Sequence, residues 1–270
     1  MSDGSKKGWL QRFAEMPNER PAKALLVAFG VSLVCAVIVS VAAVLLEPLH
    51  RANKERDRQQ RIAEIVERLP GSEELLGAAE AAKITTEMVE LATGNLVRSI
   101  DPASYDQRAA ASDPAQSVAI PKEYDIAGVK RRAKFAPVTF VERQGQVELI
   151  ILPVHGAGYA STIYGFLALR GDGNTVVALS IFEHAETPGL GAEVASKDWL
   201  GKWPGKRVRD DSGAIRIGVI KGRVEPGSPS AAYQVDGISG ATRTSDGVTK
   251  FLRFWLGEYG FGPFLERIRS

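Results

Sequence analysis

Between Ala24 and Leu46 the chain runs for 23 residues, ALLVAFGVSLVCAVIVSVAAVLL, without one charged side chain. As an α-helix this stretch is about 34 Å long, enough to cross a hydrocarbon core of about 30 Å. A core helix of that length ordinarily keeps a polar stripe. Here only Ser32, Ser40 and the thiol of Cys35 interrupt the apolar surface. A cleaved signal peptide has a shorter apolar region, roughly 7–15 residues, and a small-x-small exit. Glu47-Pro48-Leu49-His50 is no such exit. The segment is therefore expected to be an uncleaved transmembrane helix over 24–46, with membrane lipid around it. Basic residues do not orient it. Lys6, Lys7, Arg12, Arg20 and Lys23 precede it and Arg51, Lys54, Arg56, Arg58 and Arg61 follow, five on each side, so the positive-inside bias cancels.

The span divides the rest. Residues 1–23 form a short polar tail. Residues 47–71 are charge-rich, with Ile62, Ile65, Val66 and Leu69 at helical spacing, which predicts an amphipathic juxtamembrane linker closed by Pro70-Gly71. Residues 72–270 are long enough for one ordinary domain. Within it, Ala81–Thr93 reads as a helix ended by Gly94-Asn95, and Asp101–Ser117 as a loop. Val138–Glu142, Val147–Val154, Ile163–Leu169 and Thr175–Glu183 read as strands, the last two joined by a hairpin turn at 170–174. Ala192–Trp203 reads as a helix and Ile215–Lys221 as a strand. Val248, Phe251, Leu252, Trp255 and Leu256 repeat at i, i+3, i+4, i+7 and i+8, which predicts a C-terminal amphipathic helix capped by Ser245. Hairpin strands with flanking helices make the domain α+β, with antiparallel pairing.

Composition removes several chemistries. Lys+Arg total 34 against Asp+Glu 32, a formal charge of +2, so no basic field favours nucleic acid. Cys35 is the one cysteine, which excludes a disulfide framework and any cysteine-held metal cluster. His50, His155 and His184 lack metal-ligand spacing, and no metal site is expected. Gly156-Ala157-Gly158-Tyr159-Ala160-Ser161 imitates a dinucleotide fingerprint, but TIYGFLAL behind it reads as strand rather than the helix that receives a pyrophosphate. Gly171-Asp172-Gly173-Asn174 imitates a calcium loop, but the closing glutamate is missing.

One segment offers chemistry. In Asp236-Gly237-Ile238-Ser239-Gly240-Ala241-Thr242, three small residues leave backbone open to a ligand. Thr242 then presents a hydroxyl just ahead of a helix N-terminus, where free N–H groups and the helix dipole favour a phosphate. On residue chemistry alone, an ordinary polar loop explains the same string.

The string Asp236-x-x-Ser239-Gly240-Ala241-Thr242 also resembles the flavinylation motif of the FMN-binding domain family, found in the C subunit of Na+-translocating NADH:quinone reductases and the G subunit of Rnf-type complexes. Its tetrapeptide arises by chance in a chain this long on the order of one time in a hundred. Gly158–Leu169 resembles a strand segment of the same family, and Glu186-Thr187-Pro188-Gly189-Leu190-Gly191 its flavin loop. The single span followed by Leu49-x-x-x-Asn53, together with the 101–117 insertion, is more similar to the C subunit than to the G subunit. One departure from the resemblance stands out: Ala160 occupies the position before the Ser-Thr pair where many members of the family carry tryptophan. Tyr159 beside it would point to the opposite face of a strand.

The resemblance implies FMN joined through its phosphate to Thr242 by a flavin transferase that uses FAD and reads Asp236. It implies FMN contacts from Ser239, Gly240, Ala241, Glu186, Thr187, Gly189 and Leu190, with His184 and Glu186 tuning potential and no residue in acid–base catalysis. The implied role is electron relay within a six-subunit complex (partners A, B, D, E and F) that oxidises NADH, reduces ubiquinone and exports sodium. The implied place is a bacterial inner membrane, with the tail cytoplasmic and the domain periplasmic. The G subunit of an Rnf-type complex and a non-redox anchored scaffold are the alternatives.

Overall fold

The computed structural model describes residues 21, 23, 25–41 and 82–269. The chain divides into two units, Met1–Gln59 and Gln60–Ser270. In the first, residues 25–41 are helical, and large apolar side chains such as Leu25, Phe29, Ile38 and Val39 are exposed. Among the described residues no helix is long and apolar enough to cross a membrane. Ala24 and 42–46 of the expected span lie outside those residues, as do the linker 47–71 and the tail apart from 21 and 23.

The second unit is built on a six-stranded antiparallel sheet in the order β2-β1-β5-β6-β7-β8. Its strands are β1 (Ala82–Glu90), β2 (Asn95–Val97), β5 (Phe135–Arg143), β6 (Gln146–Ala157), β7 (Thr162–Arg170) and β8 (Val176–Glu183). Four of them lie where the β-branched and aromatic runs predict. Alternation sorts their side chains. Ala136, Val138, Ile150, Leu152, Val154, Ile163 and Leu167 enter the main core on one face. Val141, Leu149, Ile151, Phe166 and Ala168 form a smaller cluster on the other.

Beside the sheet lie α1 (Gln107–Ser112), the hairpin of β3 (Ser117–Ala119) with β4 (Arg131–Ala133), and α2 (Lys197–Leu200). A parallel pair joins β9 (Gly218–Val219) to β10 (Gln234–Val235), and α3 (Thr242–Leu256) and α4 (Gly262–Arg269) complete the unit.

Ala81–Thr93 is not a helix. Ala82–Glu90 is a strand paired with β5 over its full length, from Ala82↔Arg143 to Glu90↔Phe135. Pairing with a distant strand overrides the local helix preference of its Ala, Glu and Met residues. Gly94, at φ +73°, makes the tight turn into β2, and a Cβ there would collide with the Pro263 and Phe264 backbone. The 101–117 segment holds a short helix because the Asp106 carboxylate caps it, accepting from the amides of Arg108 and Ala109 at 2.9 and 3.0 Å. Ala192–Trp203 breaks at Ser196, which separates a 3-10 turn (Gly191–Ala195) from α2 and caps the latter through Trp199 N–H. The strand expected over 215–221 shrinks to Gly218–Val219.

Helix α3 matches its periodicity: Val248, Phe251, Leu252, Trp255 and Leu256 are all fully buried against the sheet. Its start differs. The helix begins at Thr242, so Ser245 lies inside it rather than at its cap, and Ser245 Oγ accepts from Ile238 N–H at 3.1 Å. Trp255 Nε1 donates to the His155 carbonyl at 2.6 Å and pins the helix to β6. The His155 ring lies 4.8 Å from Trp255 and 5.2 Å from Tyr164. Burial, then the charge of Arg108, holds its imidazole down from 6.5 to about 4.

A Cβ at Gly247 would stand 2.5 Å from the Ala157 carbonyl oxygen and 3.2 Å from Gly158 Cα. Gly247→Ala is therefore expected to lower stability by about 2 kcal/mol, seen as a reduced Tm. His155 is held neutral in the folded chain, so its contribution is whole above pH 6.5 and lost as pH falls through about 4. Between those values it changes unfolding free energy by about 3 kcal/mol. His155→Phe should flatten that part of the urea-midpoint profile against pH, and an unchanged slope would assign it to other groups.

Candidate functional site

Three connections converge at the N-terminus of α3. They are the β6–β7 turn (158–161), the loop after β8 (184–190) and the loop that leaves β10 and enters the helix (236–241). The turn follows from sequence: Gly158 N–H donates to the Ser161 carbonyl at 2.7 Å, and strand β7 resumes at once. That disposes of the dinucleotide fingerprint, whose helix is absent. It also revises the reading of Tyr159, which sits on a turn rather than on one face of a strand. The residue is 61% exposed, with the Arg243 guanidinium 5.3 Å from the ring centroid.

The loop after β8 turns at Pro188-Gly189. Gly189 takes φ +73°, the position where a type II turn needs glycine. The amides of Leu190 and Ala192 both donate to the Thr187 carbonyl at 3.1 Å. Thr187, Gly189 and Leu190 are exposed, and Leu190 leans over the other loop, since a Cβ at Gly240 would lie 2.9 Å from its Cδ2. Glu186 lies elsewhere. It is only 4% exposed, and its carboxylate accepts from Ala160 N–H at 2.9 Å, Ser161 N–H at 3.2 Å, Tyr159 N–H at 3.3 Å and the Thr244 hydroxyl at 2.5 Å. His184 Nδ1 accepts from Glu186 N–H at 3.2 Å, which keeps it within its own loop.

Asp236 anchors the third connection. One carboxylate oxygen lies 2.6 Å from Lys202 Nζ and the other accepts from Val224 N–H at 2.8 Å. Its carbonyl accepts from Trp199 Nε1 at 2.9 Å. The Lys202 ammonium, then the Val224 amide, holds its carboxyl below the usual range. From there the chain runs through exposed Ser239 and Gly240, the latter at φ +73°, to buried Ala241 and exposed Thr242.

The two ends of α3 differ. At the C-terminus Arg209 Nη2 donates to the Leu256 carbonyl at 2.8 Å. At the N-terminus Ala241 occupies the cap position and supplies no side-chain acceptor. The first-turn amides therefore face outward beside the Thr242 hydroxyl, with the positive end of the helix dipole behind them. Leu190 and Tyr159 flank this point with exposed apolar surface. Among the described residues no group of three His, Cys, Asp or Glu could hold a metal ion.

Thr187, Gly189, Leu190, Ser239, Gly240, Ala241 and Thr242 are thus brought together, while Glu186 and Asp236 serve the framework. Lys202, Trp199 and Arg243 belong to the same region and were not singled out from sequence; Thr244 belongs to it too. From sequence Thr244 stands only as the nearest alternative hydroxyl, two residues after Thr242; its bond to Glu186 is visible in the structure alone.

The family described as the FMN-binding domain matches residues 158–257. The C subunit of the Na(+)-translocating NADH-quinone reductase of Pseudomonas aeruginosa is 45% identical over 257 residues, covering 94% of this chain and 98% of that one. Its counterpart in Vibrio alginolyticus is 41% identical over 253 residues, covering 94% and 97%. The crystal structure of Shewanella oneidensis NqrC superimposes with a TM-score of 0.70 at 33% identity, covering 81% of this chain and 99% of that one. With such identity along nearly the whole of both sequences, the chain belongs to the family of Na(+)-translocating NADH-quinone reductase C subunits.

Proposed function

We propose that this chain carries one FMN as a phosphodiester on Thr242 and relays electrons within a Na+-translocating NADH:quinone reductase. The observation that carries the reading is the combination at the start of α3: an exposed threonine hydroxyl on the first residue of an uncapped helix. The residues fit the group. First-turn amides are suited to a phosphate, small residues at 239–241 leave room, and Leu190 and Tyr159 offer apolar surface to a flat ring. Attachment forms one bond and breaks one. Thr242 Oγ1 bonds to the phosphorus of the FMN half of FAD, the diphosphate bond opens, AMP departs with the bridging oxygen, and the hydroxyl proton leaves to solvent. A flavin transferase performs this step. Thr244 is 1% exposed and donates its hydroxyl proton to Glu186, which sets it apart as an acceptor.

Once bound, FMN supplies one-electron redox chemistry. The protein's part is to fix it near the partner subunits and prevent its loss. Electron transfer needs no proton donor here, so Glu186 and His184 are given no catalytic role. The chain would act as one oxidoreductase component alongside A, B, D, E and F, without complete activity of its own. It would take electrons from an iron centre in the integral subunits and pass them to FMN on the B subunit, in support of sodium export. The apolar stretch 24–46 anchors it in the inner membrane, and the domain lies in the periplasm. Relatives named as the C subunit, matched along 94% of the chain, favour this branch over the G subunit of an Rnf-type complex.

Intact-mass analysis of the full chain, co-expressed with its flavin transferase, should find the polypeptide heavier by one FMN less one water, with peptide mapping on Thr242. Thr242→Ala should lack that mass and Thr242→Ser should retain it. An unmodified wild-type chain, or a label mapped elsewhere, would contradict the assignment. A reporter fused after Ser270 should read as periplasmic; a cytoplasmic signal would reverse the topology.

A further inference from the structure

Glu186 is a buried carboxylate with an unusual set of partners. Its four donors come from two other places in the chain, three backbone amides of the β6–β7 turn and the hydroxyl of Thr244 in the first turn of α3. The space around it is built for it. A Cβ at Gly158 would stand 2.5 Å from its Oε1, and a Cβ at Gly191 would stand 2.7 Å from both its Oε2 and the Thr244 Oγ1. Two glycines from different loops therefore make room for one carboxylate. Burial alone would raise its pKa, but the Thr244 hydroxyl and then the turn amides outweigh burial and hold it below the ordinary 4.5. It is ionised at neutral pH.

We propose that Glu186 is a positioning residue that locks the β6–β7 turn to the start of α3 and thereby selects Thr242, rather than Thr244, for flavin attachment. The inference rests on the attachment reading above. Its geometric basis is the helix itself. Residues two apart on an α-helix point about 200° away from each other, so drawing Thr244 inward onto Glu186 turns Thr242 outward. The clasp also fills the concavity of amides at Tyr159, Ala160 and Ser161 with an internal anion. An arriving phosphate is then left the N-terminal amides of α3, beside the hydroxyl that it must meet. Glu186 touches neither acceptor oxygen nor ring in this account; it acts through Thr244 and the turn.

The test uses the full-length chain purified without flavin and then incubated with the flavin transferase and FAD. Intact mass gives the rate of loading and peptide mapping gives its place. Amide hydrogen exchange on the flavin-free chain reads the clasp independently. In Glu186→Gln the amide group must turn an N–H toward one of the donors. Exchange at 159–161 should accelerate at least tenfold, loading should slow at least tenfold, and part of the label should move to Thr244. Thr244→Val should slow loading several-fold, while Thr244→Ser, which restores the donor, should load at the wild-type rate. Val208→Ala, a cavity in the core outside these loops, lowers Tm but should leave loading unchanged, which separates positioning from general stability.

Faster exchange with wild-type loading on Thr242 would overturn the proposal while leaving the attachment reading intact. Unchanged exchange in Glu186→Gln would overturn it equally. Should that variant fail to fold, the contrast between Thr244→Val and Thr244→Ser decides, and equal rates would overturn it. A wild-type chain that takes up no flavin would overturn the attachment reading itself, and this proposal with it.

Discussion

The apolar seam of α3 against the sheet is the contact on which the rest depends. Five side chains at helical spacing, from Val248 to Leu256, are fully buried, and the Trp255 indole reaches the β6 backbone at His155. The approach is close enough that a Cβ at Gly156 would overlap Phe251. A helix fixed along one side for more than two turns restricts where its first turn can lie. The seam therefore sets where the Thr242 hydroxyl stands, although Thr242 takes no part in the packing.

What the seam leaves undecided, the surrounding loops settle. Asp236 ties the incoming strand to Lys202, Trp199 and the 224 backbone. Glu186 ties the β6–β7 turn to Thr244. Both carboxylates sit in motifs that the resemblance implies contact FMN, and both satisfy donors within the fold. A buried carboxylate is stable only when hydrogen-bonded or paired; buried Glu186 meets that condition within the fold, and the partly buried Asp236 is paired as well. The groups left open are the uncapped amides of α3, the Thr242 hydroxyl and the apolar side chains of Leu190 and Tyr159.

Elements governed by local pattern were legible in the sequence. The seam of α3 could be read from a repeat within nine residues, and β5 to β8 from dense β-branched and aromatic runs. The turn at Pro188-Gly189 follows from the residues that such a turn requires. The elements misread are those decided elsewhere in the chain. β1 is a strand because β5, some fifty residues on, pairs with it at every position. Ser245 has the composition of a cap, yet the helix starts one turn earlier because Ile238 N–H takes its hydroxyl. For the candidate site, the sequence marked the small-residue string and Thr242 through family resemblance, and the fold places them at the start of α3. The partners Glu186–Thr244 and Lys202–Asp236 were not, because they lie 58 and 34 residues apart and exist only once the sheet and α3 are assembled.

An ester bond between a threonine side chain and phosphorus would hold the flavin, and phosphorus itself reports such a bond. A phosphodiester has no second ionisation, whereas a phosphate monoester titrates with a pKa of about 6. Phosphorus NMR on the purified chain, denatured and washed free of unattached cofactor, should give one resonance whose position does not move between pH 5 and pH 8. A resonance that titrates through that range, or none at all, would contradict the account.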